Sequence, residues 1–179
     1  MDLPPLHSFG RRIMICGPSN SGKSTLAVAL GRKLGLPAIH LDQLHHLPDT
    51  NWVKRPEDEF TRLHDEAILG DAWAMDGNYS RLFPQRLARA TGIILLGGNR
   101  WANYARYVRR TLFQRGRAGS LAGGKDSLSW NMARWILVSS PKSLRRYRED
   151  LPKAGLPFIE LHGMRELATL YTAWGLTRG

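Results

Sequence analysis

Residues Gly17-Pro18-Ser19-Asn20-Ser21-Gly22-Lys23-Ser24 fit the pattern G-x-x-x-x-G-K-[ST], the phosphate-binding loop. Arg12-Ile13-Met14-Ile15-Cys16 before it is an apolar run of strand type, and Thr25-Leu26-Ala27-Val28-Ala29-Leu30 after it is helical. Strand, glycine-rich loop and helix are the order this chemistry needs. The glycines let backbone N–H groups close around phosphate oxygens, and the helix N-terminus adds partial positive charge. Lys23 is placed to reach the terminal phosphates, and the Ser24 hydroxyl to ligate Mg²⁺. The candidate nucleotide-binding residues are therefore Gly17, Pro18, Ser19, Asn20, Ser21, Gly22, Lys23, Ser24 and Thr25, and the ligand they imply is a nucleoside triphosphate.

A chain of 179 residues is long enough to bury a real core as one domain over 1–179. No apolar run approaches the ~20 residues of a membrane span, and Met1 to His7 lacks the basic-then-apolar order of a signal peptide. The single cysteine, Cys16, closes the first strand and reads as a small core residue. With no intrachain disulfide possible, the expected compartment is the cytoplasm.

The formal net charge of +11 is concentrated. From Gly77 to Lys125 there are ten basic residues and no acidic one, and nine of the ten are arginine. Such a block attracts nucleotide phosphates or nucleic acid, and arginine clamps phosphate oxygens in bidentate fashion.

The remaining pattern alternates. Strands are predicted at 12–16, 38–41, 72–75, 93–96 and 157–161. Helices are predicted at 23–34, 57–69, 81–89, 100–113, 128–138, from Ser140-Pro141 to about 149, and at 164–173. Residues 115–126, with four glycines and no apolar period, read as a loop. The fold class is α/β, a parallel five-stranded sheet with helices on both faces. Ligands in such sheets sit at the carboxyl ends of the strands, here Gly17, Asp42, Asp76, Gly97 and Leu161.

A phosphate loop needs a metal partner, usually an acid ending a neighbouring strand. Asp76, after Ala-Trp-Ala-Met, is the better Mg²⁺ candidate, together with Ser24. Asp42, after Ala-Ile-His-Leu, can hold metal or take a proton from an acceptor hydroxyl. His40, His45 and His46 surround Asp42 without metal-ligand spacing and read as surface or acceptor-pocket residues. Trp52 reads equally as pocket wall or core, and Trp130 and Trp135 read as core.

The phosphate loop, then Ile-His-Leu-Asp42, Asn51-Trp52 and Trp73-Ala-Met-Asp76-Gly77-Asn78-Tyr79 resemble the small P-loop kinases known as topology modulation or FlaR-related proteins. Those are similar to adenylate kinase. The resemblance implies strand order 2-3-1-4-5, Mg²⁺ at Asp76, and a lid at about 113–128. In related kinases arginines beside the lid close on the transferring phosphoryl group. Arg106, Arg109, Arg110, Arg115 and Arg117 occupy that region, Arg117 on the nucleotide side.

The reading is an ATP- and Mg²⁺-dependent kinase acting on a small acceptor, a nucleotide or nucleoside, with Lys23, Asp42, Arg106, Arg109, Arg110 and Arg115 at the chemistry. A slight lean favours a phosphate over a hydroxyl acceptor. The alternatives are a nucleotide-switched nucleic-acid-binding protein and an NTPase with water as acceptor.

Overall fold

A computed structural model describes residues 3–113 and 128–178. Arg115, Arg117 and all of the expected lid except its ends, Phe113 and Leu128, lie outside the described residues.

Five strands, β1 (Arg12–Cys16), β2 (Ala38–His40), β3 (Trp73–Asp76), β4 (Gly92–Leu96) and β5 (Phe158–Leu161), form one sheet in the order β2-β3-β1-β4-β5, with every pair parallel. This is the expected topology of a P-loop fold. The helices are α1 (Lys23–Leu34), α2 (Leu41–His45), α3 (Glu57–Ile68), α4 (Phe83–Arg89), α5 (Arg100–Phe113), α6 (Trp130–Arg134), α7 (Ser140–Asp150) and α8 (Met164–Ala173).

Alternation along the central strands divides the core into two layers. Ile13, Ile15, Ile94 and Leu96 face Leu26 and Leu30 of α1 and Leu167 and Leu170 of α8. Met14, Cys16, Ile93 and Leu95 face Ile68 of α3, Phe83 of α4, and Leu144 and Tyr147 of α7. Strands apolar on both faces are what a sheet covered on both sides requires. Burial pushes the Cys16 thiol up to about 11, so it packs as a small apolar residue.

Three local expectations differ from the structure. First, the second strand stops at His40, and Leu41 opens the five-residue α2 with Asp42 in its first turn. Its ladder partner β3 ends at Asp76, opposite His40, so Leu41 has nothing to pair with. It turns inward against Gly77, where a Cβ would lie 2.8 Å from that of Leu41. Second, Ser140-Pro141 does not cap a new helix. Residues 130–150 are continuously helical, with a π turn over Trp135–Ser139 just before Pro141. Proline has no N–H for the regular ladder, and a wider turn relieves its clash with the preceding carbonyls. Third, Trp130 and Trp135 are 83% and 43% exposed rather than core. The buried stripe of this long helix runs through Ala133, Ile136, Ser140, Leu144 and Tyr147, and the tryptophans fall off it.

No helix among the described residues is long and apolar enough to cross a membrane.

Candidate functional site

The phosphate loop leaves β1 through Gly17, at φ 140°, where a Cβ would stand 2.2 Å from the Leu96 carbonyl oxygen. No other residue fits between β1 and β4 at this height. The Pro18 carbonyl accepts hydrogen bonds from Ser21 Oγ at 2.8 Å and Lys23 Nζ at 2.7 Å, which folds the loop back on itself. Asn20 takes a left-handed backbone, φ 64°, and both polar atoms of its side chain are buried without a protein partner. Gly22, at φ 97°, turns the chain into α1. Ser19 is half-buried and Thr25 exposed.

Ser24 Oγ donates to Asp76 Oδ2 at 2.6 Å. The two residues named from sequence as a metal pair therefore meet, one at the start of α1 and the other at the end of β3. Burial lowers the Lys23 pKa and the charges of Asp76 and Asp42 raise it; Arg110 adds to the lowering. Asp42 lies two residues beyond the end of β2, on the sheet edge from which the loop also emerges.

The segment Asp76-Gly77-Asn78-Tyr79 organises the centre, one residue at a time. Asp76 Oδ1 pairs with His40 Nδ1 at 2.5 Å, directly across the β2–β3 ladder. Gly77, at φ 129°, admits Leu41. Asn78 clamps the mouth of the phosphate loop: its Oδ1 accepts from Gly17 N–H and its Nδ2 donates to the Gly17 carbonyl, both at 3.0 Å. Tyr79 sits at φ 35°, an uncommon conformation for a bulky residue, and its hydroxyl donates to Asp42 Oδ1 at 2.6 Å. Burial, and then the Asp42 carboxylate, push the Tyr79 phenol far above its ordinary pKa, so it remains a donor.

A buried arginine holds this segment in place. Arg86 is fully buried, and its guanidinium donates to the carbonyls of Gly77 at 2.8 Å, Asn78 at 2.6 Å and Tyr79 at 3.1 Å. Burial lowers its pKa. The sequence reading placed Arg86 in a phosphate-attracting block, and that block divides. Arg89 donates to the Ile68 and Leu69 carbonyls, and Arg81 reaches Thr61 and Glu57. These three guanidiniums bind the protein itself.

On α5 the picture differs. Arg106 donates through Nε to the Asn20 carbonyl at 2.9 Å and also bonds Asn103, so α5 docks onto the phosphate loop. Burial, and then the charge of Arg109, lower the Arg106 pKa. Arg109 is exposed one turn along. Arg106 is thus brought to the loop, with Arg109 and Arg110 farther along the same helix.

His45 packs edge-on to Phe60 and His46, each with centroids 4.7 Å away, and lies 4.8 Å from Tyr79. His46 in turn meets Trp52 at 5.2 Å. Tyr79 ties this aromatic cluster to Asp42. Burial, and then the charge of His46, lower the His45 pKa and favour its neutral ring.

Sequence reasoning gave Asn78 and Arg86 no role of their own and read His40 as a surface or acceptor-pocket residue, whereas it is buried against Asp76. His40 carried a signal, a polar residue ending an otherwise apolar strand beside an acid-ended one. Arg86 carried none, because its role depends on carbonyls that only the folded turn brings together.

No family model and no curated protein matches the chain. Among solved structures, a gluconokinase from Sinorhizobium meliloti 1021 is similar to this chain, with 17% sequence identity and a TM-score of 0.43 over 79% of this chain and 98% of that one.

Proposed function

We propose that the chain is an ATP-dependent phosphotransferase that moves the γ-phosphoryl group to a small-molecule acceptor. The observation that supports this most is the meeting of Ser24 and Asp76 at 2.6 Å beside Lys23, at the carboxyl edge of the sheet.

Magnesium fits these residues. A hydroxyl and a carboxylate oxygen stand side by side, the hard donors this ion prefers. Among the described residues no group of three or more His, Cys, Asp or Glu forms a metal cage. That suits an ion that takes one or two protein oxygens and completes its shell with phosphate and water. When bound, the ion spreads the negative charge of the β- and γ-phosphates.

The roles of the residues follow. Backbone N–H groups of residues 19–24, at the start of α1, cradle phosphate oxygens. The buried amide of Asn20 has unspent hydrogen-bonding capacity in the same loop. Lys23 exchanges the Pro18 carbonyl for the β/γ oxygens. Arg106, Arg109 and Arg110 on α5 supply positive charge where the loose transition state is most anionic. Asp42 faces the acceptor. The finer likeness to FlaR-related kinases rests on Asp76-Gly77-Asn78-Tyr79, each residue of which has a task here.

The test is acceptor-dependent ADP release by purified protein, with Lys23→Ala as the control. Removing one transition-state charge partner should cost about 10²-fold or more. Undiminished ADP release by this variant would remove the loop from the chemistry.

A further inference from the structure

We propose that the phosphoryl acceptor is a hydroxyl group on a small compound that carries no phosphate. The inference rests on the phosphotransferase reading and names the acceptor class for the same site. It reverses the slight lean towards a phosphate acceptor.

The argument begins with charge. The segment between β2 and β3, Leu41 to Ile68, leaves the carboxyl edge of the sheet with Asp42 at its start. It holds seven acidic residues, Asp42, Asp49, Glu57, Asp58, Glu59, Asp65 and Glu66, against Lys54, Arg55 and Arg62. Two of those three cations are committed to the protein. Arg55 bonds Glu59 at 2.6 Å and the Leu44 carbonyl at 3.0 Å, and Arg62 bonds Glu66 at 2.6 Å. Lys54 is exposed. Nearby, Arg81 pairs with Glu57, and Arg146 donates to Ser80. The segment keeps an excess of four acids over cations, so a phosphate-bearing acceptor would bring its own charge towards Asp42 and a net-negative stretch of chain, in which Arg55 and Arg62 are engaged by Glu59 and Glu66.

The second element is the geometry at Asp42. Oδ1 accepts the Tyr79 hydroxyl at 2.6 Å, which fixes the carboxylate plane. The Arg86-held turn fixes Tyr79 in its turn. One oxygen is thus anchored at the carboxyl edge of the sheet, two residues beyond His40, whose ring bonds Asp76, the partner of Ser24. A carboxylate oriented in this way suits proton removal from a neutral nucleophile, which an ionised phosphate does not require. Tyr79 packs in turn against an aromatic wall of His45 and Phe60, where the His45 Nδ1 atom is buried without a protein hydrogen bond. Such a wall takes an uncharged body with polar groups.

The step balances simply. The acceptor oxygen forms a bond to the γ-phosphorus as the bond from that phosphorus to the β,γ-bridging oxygen breaks. The bonding pair leaves with ADP, and the hydroxyl proton passes to Asp42 and then to solvent. The product is a phosphate monoester.

The experiment offers ATP with Mg²⁺ and two matched sets of compounds. One set contains nucleoside 5′-monophosphates, and the other the parent nucleosides, neutral polyols and amino alcohols. ADP release is followed, and ³¹P NMR distinguishes a new monoester from a new phosphoanhydride. Calorimetry with a non-hydrolysable ATP analogue and a melting curve accompany every variant.

A monoester from the hydroxyl set, with Asp42→Asn reducing turnover about 10²–10⁴-fold while analogue binding and melting change little, is the expected result. A phosphoanhydride formed from any monophosphate overturns the acceptor class and leaves the phosphotransferase reading standing. ADP release in water alone that Asp42→Asn leaves unchanged also overturns it, because the carboxylate then takes no proton. Failure of the wild type to bind the analogue overturns the phosphotransferase reading itself.

Discussion

Arg86 is the sharpest place to test how the site is held. Its side chain is fully buried and spans three consecutive carbonyls, those of Gly77, Asn78 and Tyr79. Arg86→Ala leaves these oxygens without their donor and opens a cavity between α4 and the sheet. Each hydrogen bond to a charged group contributes about 1.5–3 kcal/mol, but three that share one guanidinium are not additive. The guanidinium also paid a desolvation cost that the alanine variant recovers, so roughly 3–5 kcal/mol is the expected net loss. For a domain of this size about 2–4 °C of melting temperature accompanies each kcal/mol, which gives a drop on the order of 10 °C. Arg86→Lys should recover little, since one ammonium cannot reproduce the planar fork. Differential scanning calorimetry of the wild type and both variants measures this directly. Were Arg86 a surface phosphate contact, the change would stay within about 0.5 kcal/mol. A melting shift below about 2 °C would refute the bracket.

Three further outcomes are expected. Asn78→Ala removes both bonds to Gly17, so nucleotide-analogue affinity should fall about tenfold by calorimetry, and unchanged affinity would show that the clamp does not shape the loop. His40→Ala frees Asp76 Oδ1 to reorient, so the gain in analogue affinity on adding Mg²⁺ should shrink severalfold while metal-free affinity holds; an unchanged gain would remove His40 from the site's support. His64 is buried, and its pKa lies below the ordinary 6.5, chiefly through desolvation. The unfolded state therefore binds the proton more tightly, so stability is full above about pH 6.5 and falls as pH drops towards the folded pKa. Denaturant melts at pH 7.5 and 5.5 should show the loss, and His64→Gln should reduce it; equal slopes for both proteins would contradict the assignment.

Much of this site was readable before any coordinates, and the reason is local. Strand, loop and helix around Gly17 to Ser24 are contiguous, and glycine geometry sets the path of the loop. The partnership of Ser24 with Asp76 was also legible, because an acid ending an apolar strand must emerge at the same sheet edge as the loop. What stayed hidden depends on contacts between distant segments. Asp42 reads as the end of a strand, yet it lies in a helix because β3 ends opposite His40. Arg86 reads as one basic residue among ten, yet it faces inward because the Asp76-Gly77-Asn78-Tyr79 turn presents three carbonyls to it. Charge patterning counts residues and is blind to which guanidiniums the protein has already engaged.

The central claim is that the loop from Gly17 to Ser24 binds the phosphates of a nucleoside triphosphate with Lys23 and a divalent ion. Calorimetric titration of a non-hydrolysable ATP analogue with Mg²⁺, into the wild type and into Lys23→Ala, tests it most directly. Saturable binding to the wild type that strengthens with Mg²⁺ and weakens about tenfold or more in the variant is the expected result. An absence of binding to the wild type, or equal affinity in the two proteins, would contradict it.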